Sequence, residues 1–133
     1  MQPGSVALGV VNASPATALV PDAFGCYVLP SHSQPVLRQN ECFNSGAYET
    51  SYTATFQVAS PSHPYTYAWS VPSAYVSHIT SGCTTTSICN IGNLTTGMQV
   101  TVSVSFSWNG SVAGGGSATA DIEPWCSPTE WCG

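Results

Sequence analysis

The chain has 133 residues, 43% of them hydrophobic, enough for one ordinary domain with a buried core and too apolar for a disordered polymer. Only 5% are charged, with no lysine and Arg38 as the sole strong cation, against about 25% in a typical soluble domain. This excludes nucleic-acid binding, which needs several Lys or Arg contacts to phosphate, and electrostatic docking on anionic lipid; no apolar run reaches the length of a membrane span.

In residues 1–20, Val6, Leu8 and Val10 alternate with small residues before Pro15, which predicts an extended N-terminal strand or arm. The segment lacks the cationic and apolar regions of a signal peptide. Such an uncharged strand pairs either within its own molecule or in a neighbour's sheet. Residues 21–47 carry Pro21, Pro30, Pro35, Gly25 and Gly46, and read as a pinned loop with one short strand at 26–29.

Regularity begins at residue 48. Tyr48, Thr50, Tyr52, Ala54, Phe56 and Val58 share one parity and polar residues the other, as in a half-buried antiparallel strand. After Pro61 and Pro64, the residues Tyr65, Tyr67, Trp69 and Val71 form a second strand face that Pro72 ends. Residues 73–80 suggest a third strand and 88–94 a short fourth. The fifth is the most regular: Val100, Val102, Val104, Phe106 and Trp108 face one way, Thr101, Ser103, Ser105 and Ser107 the other. It is expected to be a central strand, dry on one face and wetted by hydroxyls on the other. Asn109-Gly110 is a hairpin signal, since a type I′ turn needs φ > 0 at both positions. The return strand is expected over 117–122, with Gly114-Gly115-Gly116 pointing to a longer flexible tip. No helical period survives two turns. Short strands about ten residues apart predict an antiparallel β-sandwich over 21–122, followed by a Trp/Cys-rich loop at 123–133.

Residues from about 50 to 122 resemble the PKD-like and immunoglobulin-like repeats of bacterial secreted and surface proteins. The motifs are Tyr65-Thr-Tyr-Ala-Trp-Ser-Val71, Gly97-Met-Gln-Val-Thr-Val-Ser-Val104, the Gly-rich hairpin and Ala118-Thr-Ala-Asp-Ile122. Ser73-Ala-Tyr-Val stands where the PKD Gly-Asp-Gly turn would be, which favours the broader immunoglobulin-like reading. The resemblance implies a core position for Trp69, a stapled mid-sandwich loop from Gly82-Cys83 to Cys89, and a non-enzymatic module for spacing, adhesion or binding.

Cysteines stand at 26, 42, 83, 89, 126 and 132, an even count that reads as a disulfide framework made in an oxidising compartment. Six cysteines allow 15 pairings; the close spacings favour Cys83 with Cys89 and Cys126 with Cys132, which leaves Cys26 with Cys42. The C-x-x-C pairs common in zinc sites do not occur. His32, His63 and His78 are far apart and read as surface histidines. Asp22, Glu41, Glu49, Asp121, Glu123 and Glu130 form no local acid–base or calcium motif, and no Gly-x-Ser-x-Gly elbow activates a serine. The expectation is a protein without catalytic residues, metal or cofactor. Asn12, Asn93 and Asn109 stand in Asn-x-Ser/Thr sequons and are candidate glycan sites. Trp125 and Trp131 in the tail, with Trp108 at the hairpin, are candidate contacts for a ligand or partner.

The expected function is a structural or adhesion module, extracellular or on a cell surface, that assembles with itself or other surface proteins through sheet edges or strand donation. The alternatives are a carbohydrate-binding module using exposed tryptophans and a virion surface or decoration protein. Partners are therefore protein or glycan, with no nucleic acid and no membrane insertion.

Overall fold

A computed structural model describes residues 19–31, 36–44 and 50–123, and the backbone of 125–127 and 130–131. Ten strands are present there: β1 (Phe24–Leu29), β2 (Glu41–Phe43), β3 (Tyr52–Val58), β4 (Thr66–Ser70), β5 (Ile79–Gly82), β6 (Ile88–Leu94), β7 (Gln99–Trp108), β8 (Ser111–Asp121), β9 (Trp125–Ser127) and β10 (Glu130–Trp131). They form one four-stranded sheet in the order β1-β3-β6-β5, a second in the order β2-β8-β7-β4, and a β9–β10 hairpin. All pairings are antiparallel except β2 with β8. The chain is thus an all-β sandwich with two disulfides among the described residues. The described residues include no helix long and apolar enough to cross a membrane.

Period-two patterning accounts for the core. Cys26 and Val28 of β1, Ala54, Phe56 and Val58 of β3, and Cys89 and Ile91 of β6 meet Val100, Val102, Val104 and Phe106 of β7 and Ala118 and Ala120 of β8. Strand β7 lies inside its sheet and buries the expected valines, while Thr101 and Ser105 stay exposed. Its hydroxyl face is paired across the ladder: Thr101 meets the Thr119 hydroxyl at 2.7 Å and Ser103 donates to Ser117 at 3.2 Å. Such cross-strand pairs wet and stiffen a sheet that has few ionic groups. The strand expected over 88–94 is present as β6.

Several local expectations are corrected. Residues 73–78 are a 3₁₀ turn, not a strand, and β5 begins only at Ile79. The Tyr75 N–H donates to the Pro72 carbonyl at 2.8 Å, and this tight turn carries the chain from the second sheet to the first. Strand β3 starts at Tyr52 rather than 48; Tyr48 and Glu49 lie outside the described residues, as does the arm at 1–18.

The glycine run is not a flexible tip. The hairpin closes over Asn109 (φ 52°) and Gly110 (φ 80°), and β8 begins at Ser111. Gly114, Gly115 and Gly116 pair with Phe106, Ser105 and Val104. A Cβ at 114 would lie 2.6 Å from the Phe106 ring, and one at 116 would lie 3.1 Å from Phe24. The glycines therefore leave room for two aromatic side chains against the strand. Ala113 is left unpaired between the Phe106–Gly114 and Ser107–Val112 pairs as a bulge in β8, and Trp108, the last residue of β7, is 36% exposed. Trp69 is half-buried rather than a core tryptophan; its ring packs 5.9 Å from Phe24 and its indole N–H donates to the Thr86 carbonyl at 2.9 Å.

Asn44, fully buried, continues β2 by side chain. Its Nδ2 donates to the Glu123 carbonyl at 3.1 Å and its Oδ1 accepts from the Glu123 N–H at 3.0 Å. The amide thus stands in for one more rung of the parallel ladder. Asn44→Ala strips both partners from Glu123 and is expected to cost about 2 kcal/mol. A lower urea midpoint at unchanged slope would register it; an unchanged midpoint would show the rung to be idle.

Candidate functional site

The strand directions bring four segments to one end of the sandwich. Strand β1 starts there, and the 59–65 connection, the 83–87 loop and the β7–β8 hairpin all turn there. Each segment is held by specific contacts.

The 59–65 loop is tied to the start of β1 by Asp22, itself in the left-handed region at φ 71°. Its carboxylate accepts from the Ser62 N–H at 2.8 Å, the Ser62 hydroxyl at 2.6 Å and the Tyr65 hydroxyl at 2.9 Å. The Ser62 hydroxyl, then the Ser62 N–H, hold the Asp22 carboxyl below its ordinary range; desolvation opposes them, and Tyr65 and His63 add weaker help. A depressed carboxyl favours the fold above its unfolded pKa and loses that contribution as pH falls through the folded value. Asp22→Asn should therefore lower the thermal midpoint at neutral pH, with the gap to the parent closing below the ordinary aspartate range. A gap that persists in acid would assign the effect to shape rather than charge.

Tyr65, buried, also packs against Phe106 (4.7 Å) and Tyr67 (6.2 Å), so the loop rests on the core. Burial, then the neighbouring Tyr65 and Asp22, pushes the Tyr67 phenol up, opposed by a hydrogen bond with Ser87. The 83–87 loop is closed by the Cys83–Cys89 disulfide and pinned by Trp69 on Thr86. The Val58 N–H donates to the Ser87 carbonyl at 3.0 Å.

On this frame His63 stacks on Trp108, with ring centroids 4.6 Å apart and planes inclined by 11°. The edge of His63 also meets Tyr65 at 5.8 Å. The result is an exposed two-ring aromatic platform beside the hairpin tip. Val112 and Val20, 75% and 71% exposed, belong to the β7–β8 hairpin and to the approach to β1 at this same end.

Of the three candidate tryptophans, only Trp108 belongs to this end. Backbone order sends β9 and β10, with Trp125 and Trp131, to the opposite end, since they follow β8 within a few residues; their side chains lie outside the described residues. Asn109 and Asn93 are exposed, Asn109 in the hairpin turn and Asn93 near the end of β6 at φ 55°; Asn12 lies outside the described residues. Cys26–Cys42 and Cys83–Cys89 are bonded, and the Cys126–Cys132 pairing falls outside the described residues. His32, Glu49 and the Glu130 side chain also fall outside them, whereas His78 donates from Nδ1 to the Gly92 carbonyl at 2.9 Å. Among the described residues no three His, Cys, Asp or Glu side chains converge.

Asp22, Ser62 and His63 were not legible as a site, because their partners lie 40 or more residues away and no short motif joins them. No protein-family model matches the chain, and neither the curated proteins nor the solved structures include a significant match.

Proposed function

We propose that this chain is a non-enzymatic extracellular adhesion module with an immunoglobulin-like sandwich, and that it meets its partner through the loop end carrying His63 and Trp108. The sheet order supports the fold reading. Strands β1, β3, β6 and β5 occupy the positions A, B, E and D of that architecture and β4, β7 and β8 those of C, F and G, with β2 added beside β8. Buried disulfides suit an oxidising, extracellular setting.

The observation that carries the functional reading is the fixed aromatic platform at 4.6 Å stacking distance, on loops already held by Asp22, a disulfide and a tight hairpin. Exposed rings on ordered loops bind without a large ordering cost. Beads coated with the full chain, applied to surfaces bearing polysaccharides or extracellular proteins, should be retained on at least one surface. Trp108→Ala or His63→Ala should release them, while Thr101→Ala with Ser103→Ala on the hydroxyl face should not. Retention that ignores the loop variants would overturn the assignment of the binding end.

A second reading, self-association, is favoured by one feature. Strand β4 is a sheet edge with the sequence Thr-Tyr-Ala-Trp-Ser and no charge to guard it. The β1 edge, by contrast, is covered where Cys26 and Arg38 exchange backbone hydrogen bonds at 2.9 and 3.0 Å. If β4 pairs between copies, light scattering at high concentration will show oligomers that Ala68→Lys dissolves. A strict monomer before and after the change would discard this reading.

A further inference from the structure

We infer that the ligand of the loop end is a neutral carbohydrate, bound with a sugar ring against the Trp108–His63 platform; the inference rests on the adhesion reading and names the ligand class of that site. Three observations converge on it.

The first is shape. The pair is a stack of flat rings reached by solvent, with Trp108 36% exposed and His63, itself exposed, lying against one of its faces within 11°. Planar rings match the flat C–H face of a pyranose, and indole is the largest such surface a side chain offers. His63 is held between Trp108 and Tyr65, and Tyr65 is held by Asp22, so little side-chain freedom remains to be lost on binding.

The second is charge. The described part of this end carries one ionised carboxylate, Asp22, whose oxygens are taken by Ser62 and Tyr65. Arg38, the only Lys or Arg of the chain, is placed along β1 against Cys26 and is not one of the loop-end residues. With no Lys or Arg among the described residues of this end to pair with a sulfate, phosphate or uronate, and a carboxylate to repel one, an anionic ligand is disfavoured.

The third is the polar rim. Asn109 and Ser111 at the hairpin and Thr84, Thr85 and Thr86 on the stapled loop are exposed amides and hydroxyls. Groups of this kind exchange hydrogen bonds with sugar hydroxyls without paying for the burial of a charge. Exposed aromatic rings that share their end of the sandwich with neutral polar groups are complementary to a neutral polyol.

The test uses the full chain against immobilised cellulose, xylan, mannan and chitin, with heparin and polygalacturonate as charged counterparts, followed by calorimetric titration of matching soluble oligosaccharides. Binding to at least one neutral polymer is expected. Trp108→Ala should weaken it about tenfold or more, Trp108→Phe should keep most of it, and His63→Ala should fall between. Circular dichroism checks folding. Should Trp108→Ala disturb the hairpin, His63→Ala still decides the matter, because His63 is exposed. Neutral-polymer binding that survives both variants, or binding confined to the charged polymers, overturns the inference. Beads that adhere through Trp108 to a protein surface, with no neutral polymer bound, overturn the carbohydrate while leaving the adhesion reading standing. Failure of beads and polymers alike removes both.

Discussion

Phe106→Ala should cost about 4 kcal/mol, the largest effect expected of any single substitution in the core. Its ring is 1% exposed and lies 4.7 Å from Tyr65 and 6.0 Å from Tyr67. The cavity would open beneath the tyrosine that anchors Asp22 and the 59–65 loop, so the loss reaches the candidate site as well as the core. The glycine strand supplies an internal check. A methyl at 114 would stand 2.6 Å from Phe106 Cζ and 2.9 Å from Cε2, so Gly114→Ala alone should cost about 1 to 3 kcal/mol through overpacking. In the Phe106→Ala background the same change should cost far less, because the obstructing ring is gone. Urea denaturation of the four proteins measures this coupling. Additive costs would mean that Gly114 is required for some reason other than the ring.

That pairing also marks where the sequence could and could not be read. Alternation over 100–106 gave the right face because each inward residue is apolar and each outward one a hydroxyl. It failed at Trp108, two residues later. Parity holds along the whole strand, but Trp108 is its last residue, beside the hairpin turn, and is 36% exposed there. The glycines misled for a related reason: their composition suits a loop, and only the bulk of Phe106 and Phe24 opposite them makes a strand of them.

Other features depend on partners remote in sequence. Strand β2 is three residues long, too short to carry a period, and exists because β8 offers a parallel edge. Asn44 looks like an ordinary turn residue until Glu123, 79 positions away, receives it. The His63–Trp108 stack joins a loop between two prolines to a hairpin 45 residues on, and neither residue signals the other. By contrast, the type I′ turn at Asn109-Gly110 and the Cys83–Cys89 staple were legible, since both close locally and each residue type is required by geometry. Local constraints could be read; assembled ones could not.

Replacing Cys26 and Cys42 together by alanine should destabilise the protein by about 3 kcal/mol, more than removing the other described bridge. The two sulfurs join β1 of one sheet to β2 of the other, 16 residues apart in sequence and with Cα atoms 5.9 Å apart. Without the bond, the unfolded chain regains the freedom of a 16-residue loop, about 3 kcal/mol on the chain-entropy account, whereas the six-residue separation of Cys83 and Cys89 yields about 2 kcal/mol. Burial adds to the difference, since both Cys26 and Cys42 are within 1% of full burial. Loss of the bond also lets the unfolded state expand, so the urea slope should steepen as the midpoint falls. The consequences should separate in space too. Cys83→Ala with Cys89→Ala loosens the loop pinned by Trp69 and should weaken adhesion while leaving most of the sandwich intact. Cys26→Ala with Cys42→Ala frees one edge of the sandwich and should lower global stability while the loop end still binds. If the short bridge proves the more stabilising, or if both pairs affect adhesion equally, the division between a clamped edge and a stapled binding loop is wrong.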